Sequence, residues 1–255
     1  MPPTVAACQL AFADLDVAAN VAAVESRVVG LPDRVDVAVF PEHTLTGFVA
    51  DERIDDVALP ADDGRIDRLQ DIAAAENTAL VVGFIETDGE DLYNTTLYLA
   101  PDGTRARYRK RHLWSGEEDV LVAGEELTTV ETPAGTAGLL TCYDLNFVDD
   151  SAELTRRGID ILFVSGAWPG TYSENWTLLV RARALDGVRW AVGAGRTGRR
   201  DIPDASVVEY AGRSLVARPD GGIHATLDRR EGDLVADLDG DTLAAARDLV
   251  GVSPG

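Results

Sequence analysis

Three residues of complementary chemistry each stand just past an apolar run. Glu42 follows VDVAVF in the segment FPEHTLTGF, Lys110 closes YNTTLYLAPDGTRARYRK, and Cys142 follows GTAGLL in LLTCYDLNF. A free thiol titrates near about 8.5, so a cysteine nucleophile working at neutral pH needs a base to take its proton. A carboxylate can be that base and can later activate water. An ammonium can hold the oxyanion formed when a thiolate attacks a carbonyl carbon. Lys110 is the single lysine of the chain, and the remaining permanent positive charge is all arginine. A compact point charge with three donors suits a site where arginine's broad planar fork does not fit.

Each residue alone has a plain alternative. A buried cysteine is usually a small hydrophobe, which is how Cys8, inside an apolar run, is read. Glu42 after Pro41 could cap a turn, and Lys110 could sit on a solvated sheet edge. The three together, each at the end of an apolar run, make a stronger pattern, because the strand ends of layered α/β folds are where sites are built.

The elements that must position them follow from periodicity. Buried strands are expected over 4–12, 35–42, 79–87, 135–142, 159–166, 190–195 and 233–239, with helices over 17–29, 65–77, 151–158, 173–187 and 241–250. Ser173 reads as the cap of its helix and Gly187 as its stop. Hairpins are expected over 93–110, turning at Pro101-Asp102-Gly103, and over 212–228, turning at Pro219 to Gly222. The longest loop is expected over 195–206. Strands alternating with helices, mixed with hairpins, indicate an α/β fold with mixed sheets in one domain spanning 1–255.

Composition narrows the partners. The 255 residues hold 44 acidic and 23 basic side chains, a formal charge of −21. Such a surface repels nucleic acid and anionic lipid, so neither is an expected partner. Near-absence of lysine with dispersed acid resembles adaptation to a salt-rich, haloarchaeal cytoplasm, since at molar salt the Debye length is roughly 3 Å and the surface no longer repels itself. No apolar run approaches the roughly 18 residues of a membrane span, and the N-terminal stretch has no signal-peptide pattern, so a cytoplasmic protein is expected. Cys8 and Cys142 are then expected as free thiols. His43, His112 and His224 are dispersed without metal-ligand spacing, and GAGRTG (193–198) lacks the spacing of a dinucleotide-binding loop.

FPEHTLTGF, YRKRHLWSGEE and LLTCYDLNF resemble, in order, the three signature segments of the carbon–nitrogen hydrolase (nitrilase) superfamily. VAACQL, AWP, RARALDG and DLVADLD resemble further family features, so the likeness spans roughly 4–240. The resemblance implies a four-layer α-β-β-α sandwich that pairs with a second subunit in a homodimer or higher homo-oligomer, with no metal or cofactor. It implies Glu42 as general base, Lys110 as oxyanion stabiliser, Cys142 as nucleophile and the backbone N–H of Tyr143 as second oxyanion donor. A further glutamate that orients the lysine would be Glu117 or Glu118; counting back from Gly124 favours Glu117. Trp114 and Trp168 are candidates for the pocket wall, with Tyr172 a weaker one. Asp144 and Asn146 either shape the base of the site or hold a turn. His112 reads as structural, and Arg181 and Arg183 as ion-pair partners.

The Cys-Tyr-Asp run resembles the amidase-like branches, so the expected reaction is hydrolysis of a small amide through a cysteine thioester. Asn146-Phe147-Val148 stands where many of those members have Arg-Phe-Pro, which leaves a specific ω-amidase assignment open. N-carbamoyl amine hydrolysis and nitrile hydrolysis are the enzymatic alternatives. A catalytically silent binding protein on the same scaffold and a redox protein pairing Cys8 with Cys142 are the others.

Overall fold

The structure, a computed structural model, describes residues 2–251. The first half of the chain runs β1 (Thr4–Gln9), α1 (Val17–Val29), β2 (Val37–Val39), α2 (Gly64–Glu76), β3 (Ala79–Asp88), β4 (Asp91–Leu99) and β5 (Arg105–Arg109). The second runs β6 (Thr129–Thr132), β7 (Gly135–Thr141), α3 (Val148–Arg156), β8 (Ile161–Gly166), α4 (Ser173–Gly187) and β9 (Trp190–Gly195). Then come β10 (Arg199–Arg200), β11 (Val208–Glu209), β12 (Leu215–Ala217), β13 (Ile223–Thr226), β14 (Gly232–Asp237) and α5 (Gly240–Val250).

Two six-stranded sheets result, ordered β14-β1-β2-β3-β4-β5 and β13-β12-β9-β8-β7-β6. β1, β2 and β3 are parallel, as are β7, β8 and β9, because a helix carries the chain back between each pair. Antiparallel strands extend both edges of each sheet. The halves therefore share one topology, although no fixed sequence period announces it.

The alternation of side chains along the strands builds the layers. Val5 and Ala7 of β1 and Ala79 and Val81 of β3 join the core that runs to the second sheet. Ala6 and Cys8, and Leu80, Val82 and Phe84, point the other way, under α1 and α2. Both faces are covered, which is why these strands read as continuous apolar runs. α1 seats Val17, Val21, Val24 and Val28 on one stripe and starts at Asp16, whose carboxylate accepts the Ala19 N–H at 3.0 Å. α4 seats Trp176, Val180 and Ala184 against the second sheet. Burying each such large apolar side chain is worth about 1.5–3 kcal/mol. β1 faces β9, β3 faces β8 and β4 faces β7, so the architecture is the four-layer α-β-β-α sandwich.

Some expectations need correcting. The strand expected to run to residue 12 ends at Gln9, where the chain leaves the sheet. Ser173 is the first helical residue of α4 rather than its cap; Tyr172 holds the cap position without a capping side chain. The expected long loop contains β10, which pairs with β11. β6, a short edge strand of mostly polar residues, had no apolar run to reveal it. Among the described residues no helix is long and apolar enough to cross a membrane.

Candidate active site

Glu42, Lys110 and Cys142 arrive at one place from three strand ends. Glu42 follows β2 in a turn held by Phe40 N–H to Val81 O (2.8 Å), Leu45 N–H to Gly83 O (3.0 Å) and Thr44 Oγ1–H to Pro41 O (2.7 Å). The turn lies so close to β3 that a Cβ at Gly83 would stand 2.9 Å from the His43 nitrogen. Lys110 follows β5, its backbone N–H bonded to Asn94 O at 2.8 Å. Its carbonyl accepts Gly124 N–H at 2.8 Å, an approach that only a glycine allows, since a Cβ there would meet Arg109 O at 2.2 Å.

Cys142 follows β7 as the first residue of a 3₁₀ turn (Cys142–Asn146) with φ of +49°, a left-handed conformation that a non-glycine residue adopts at a cost. Asp144 holds it there. Its buried carboxylate accepts Thr141 N–H (2.9 Å), Tyr108 O–H (2.7 Å) and His112 N–H (3.0 Å). Tyr108 and His112 flank Lys110 in sequence, so Asp144 ties the cysteine's turn to the lysine's strand. Asn146 donates to Tyr143 O at 3.0 Å and holds the turn. His112 is structural as read: Nε2 meets Asp150 at 2.9 Å and the ring stacks on Phe147.

The Lys110 ammonium lies between two carboxylates, 2.8 Å from Glu42 Oε1 and 2.7 Å from Glu117 Oε2. All three side chains are buried. Glu42 Oε2 accepts Ala167 N–H at 3.0 Å, and Glu117 Oε2 accepts Trp114 N–H at 2.7 Å. Glu117 is thus the residue that reaches Lys110; Glu118 is exposed and accepts Gly116 N–H at 3.0 Å. Burial would raise both carboxyls, but Lys110 outweighs it, with help from His43. Glu42 is held below its ordinary 4.5 and Glu117 is brought down to about 2. Burial and then the adjacent Glu42 carboxylate push the Cys142 thiol well above 9.0, against the pull of Lys110. At neutral pH the resting pair is therefore a carboxylate and a thiol. Asp144 is raised by burial to about 6, though Lys110 and Tyr108 pull it down.

Sequence reasoning missed two residues here. Asn94, mid-strand in β4, donates from Nδ2 to Glu42 Oε1 and to Glu117 Oε1, each at 2.9 Å. Its signal was the polar run Asn94-Thr95-Thr96 inside an otherwise apolar strand. His43, dismissed as dispersed, places Nε2 3.9 Å from Glu42 and 3.7 Å from Glu117, with its ring stacked on Phe48 at 4.9 Å. Glu42, His43 and Glu117 have ligand atoms within 4.8 Å of one another, a spacing a metal ion could use, but the Lys110 ammonium already bridges the two carboxylates.

The cluster opens on a cavity of about 400 Å³ whose wall includes Cys142, Trp114, Tyr210 and Arg200. A smaller cavity of about 170 Å³, lined by Trp114, Tyr143, Trp168 and Tyr172, meets the first at Cys142. Trp114 thus stands on the wall of both cavities and Trp168 on that of the smaller one. Of the two arginines read as ion-paired, Arg183 pairs with Asp186, whereas Arg181 donates to the Gly221 carbonyl instead. Both cysteines are free thiols, which removes the disulfide reading.

A thiol over a carboxylate and an ammonium, at the strand ends of an α-β-β-α sandwich, defines a class of thiol hydrolase. Residues 4–248 match the carbon–nitrogen hydrolase family, and the chain belongs to it. It is 32% identical over 239 residues to an (R)-stereoselective amidase of a Pseudomonas species, covering 94% of this chain and 86% of that one. It is 31% identical to a 2-oxoglutaramate amidase of Bacillus subtilis, covering 85% and 83%. The solved structure of an amidase from Nesterenkonia superposes with a TM-score of 0.83 at 25% identity, covering 98% of this chain and 95% of that one. The protein is accordingly a hydrolase of carbon–nitrogen bonds other than peptide bonds.

Proposed function

We propose that the protein hydrolyses a small amide to a carboxylic acid and ammonia or an amine, with Cys142 as nucleophile. The observation that carries this reading is the placement of Lys110 between Glu42 and Glu117 beside the Cys142 thiol. Glu42 takes the thiol proton as sulfur attacks the amide carbon. The oxyanion forms against the Lys110 ammonium and the Tyr143 N–H; removing one such donor typically costs about 10²–10³ in rate. The C–N bond breaks as the proton passes from Glu42 to the leaving nitrogen, and a thioester remains. Water then gives a proton to Glu42 and attacks the thioester carbon. The C–S bond breaks, the acid leaves and the thiol regains its proton. Glu117, through Oε2, holds Lys110 in place, and Trp114 and Trp168 bound the acyl and leaving groups.

The same proposal takes the chain as one hydrolase domain of a cytoplasmic, salt-adapted protein, in line with its charge of −21. Assembly as a homo-oligomer is supported by Leu178 and Leu185, exposed one above the other on α4.

The test is ammonia release from small amides, ω-amides, N-carbamoyl amines and nitriles in molar KCl, beside Cys142→Ala. Amide turnover that the substitution abolishes is the expected result. Turnover confined to nitriles or carbamoyl amines, or amide turnover that survives the substitution, would contradict the proposal.

A further inference from the structure

Arginine on this acidic chain almost always has a carboxylate beside it. Among the described residues only Arg34, Arg181, Arg200 and Arg229 have none within 4.0 Å. Arg34, Arg181 and Arg229 are exposed to solvent. Arg200 is half-buried and stands on the wall of the cavity that holds Cys142.

The guanidinium of Arg200 is fixed rather than free. Nη1 donates to Phe48 O at 2.9 Å and Nη2 to Ser206 O at 3.1 Å, so the side chain spans the two loops that form the cavity rim. β10 anchors its backbone, with Arg200 opposite Val208. Each terminal nitrogen carries two N–H groups and spends one on these carbonyls, which leaves one on each. The buried Nε has no partner at all. A planar cation with spare donors and no counter-ion is built to accept a carboxylate.

The other charged groups of this wall are matched or solvated. Lys110 is shared between Glu42 and Glu117. Asp51 is held by Arg53 through two bonds, at 2.8 and 2.6 Å. Asp204 is exposed to water. Arg200 is the cation of the cavity that lacks a partner of opposite charge, and an occupant can supply one.

We propose that Arg200 is a carboxylate-recognition residue, and that the substrate is an amide bearing a carboxylate elsewhere in the molecule. This rests on the amide reading above. The carboxylate can lie on the acyl side, as in the ω-amide of a dicarboxylic acid, or on the amine side, as in an N-acyl or N-carbamoyl amino acid. The chemistry recognised is the same.

The experiment compares wild type, Arg200→Gln and Arg200→Lys on matched pairs in molar KCl: a dicarboxylate ω-amide against its methyl ester, and an N-acyl amino acid against its methyl ester. Wild type should favour the charged member of at least one pair, and which pair identifies the side that carries the carboxylate. Arg200→Gln should lose roughly 10- to 100-fold in kcat/KM on the charged member, chiefly through KM, and at least tenfold more than on the neutral one. Arg200→Lys should recover part of that loss. Equal turnover of charged and neutral members by wild type, or equal losses on both in the glutamine variant, would overturn the proposal. A second arm needs no turnover. Glutarate should protect Cys142 from iodoacetamide in wild type and not in Arg200→Gln. If no amide is cleaved but this protection is seen, the amide reading fails while the carboxylate site stands; absence of protection in wild type counts against the site itself.

Discussion

Cys8 and Cys142 sit in two regions that share more than their residue type. Each thiol is buried, and each has one carboxylate and one cation nearby, Asp233 and Arg27 for Cys8, Glu42 and Lys110 for Cys142. Burial first, and then the carboxylate, push both thiols well above 9.0. Acidity therefore does not separate them. What differs is the setting of the charges and the way out. Arg27 and Asp233 pair with each other at 3.2 Å near the surface, and Cys8 lies within β1 with no accessible surface, facing α1 and α2. Glu42 is buried with its lysine, and Cys142 stands on a turn that puts its sulfur at the junction of two cavities. On the proposed mechanism, then, the nucleophile is a protonated thiol next to a buried carboxylate with an opening in front, rather than a thiol of low pKa.

The largest effect should come from exchanging the two positions' fates. Cys142→Ala is expected to lower amide turnover by on the order of 10⁴-fold or more. Cys8→Ala should keep turnover within about threefold and cost about 1 kcal/mol of stability, read from urea unfolding. Comparable losses of turnover in both would break the comparison.

Next in size is the captive base. Glu42→Gln should lower kcat by roughly 10²–10⁴-fold. It should also slow iodoacetamide labelling of Cys142 while leaving the slow labelling of Cys8 unchanged, as followed by peptide mass. Unchanged labelling at Cys142 would mean that Glu42 is not its base.

Glu117→Gln sharpens the account of how Lys110 is held. A carboxyl depressed in the folded state stabilises it above the unfolded value and loses that contribution as pH falls. The Glu117 share should be complete above pH 4.5 and fade toward its folded value of about 2. Denaturant unfolding should show the variant about 2 kcal/mol less stable than wild type at neutral pH, with the gap narrowing in acid. A gap that widens in acid would contradict the assigned direction.

The smallest expected effect belongs to His43, which helps to lower Glu42 and Glu117. In wild type the acid limb of kcat/KM should lie below 4.5, the ordinary value for Glu42. His43→Phe should move that limb upward and lower the neutral plateau by less than about tenfold. A pH profile that stays in place would remove His43 from the site.

Much of this was legible in the sequence, for reasons the fold makes plain. β1, β2, β3, β7 and β8 are covered on both faces, so their runs were largely apolar, and the ends of β2 and β7, which Glu42 and Cys142 follow, could be read directly. Lys110 stood out because the chain has no other lysine. Short strands without an apolar face, β6, β10 and β11, left no periodic trace. Asn94 reaches Glu117, 23 residues on, His43 reaches Glu117 besides its neighbour Glu42, and Arg200 reaches Phe48, 152 residues back, besides Ser206; nothing in their own neighbourhoods announces the distant pairings. The choice between Glu117 and Glu118 needed the turn after Gly116, whose φ of +87° fixes which carboxylate faces the lysine.

The central claim is that Cys142 becomes acylated. Acid-quenching the enzyme in the first turnovers of an amide substrate, followed by peptide mass mapping, tests it directly. The account predicts the substrate's acyl mass on the Cys142 peptide, none on the Cys8 peptide, and none in Cys142→Ala. Steady turnover with an unmodified Cys142, or the acyl group on any other residue, would contradict it.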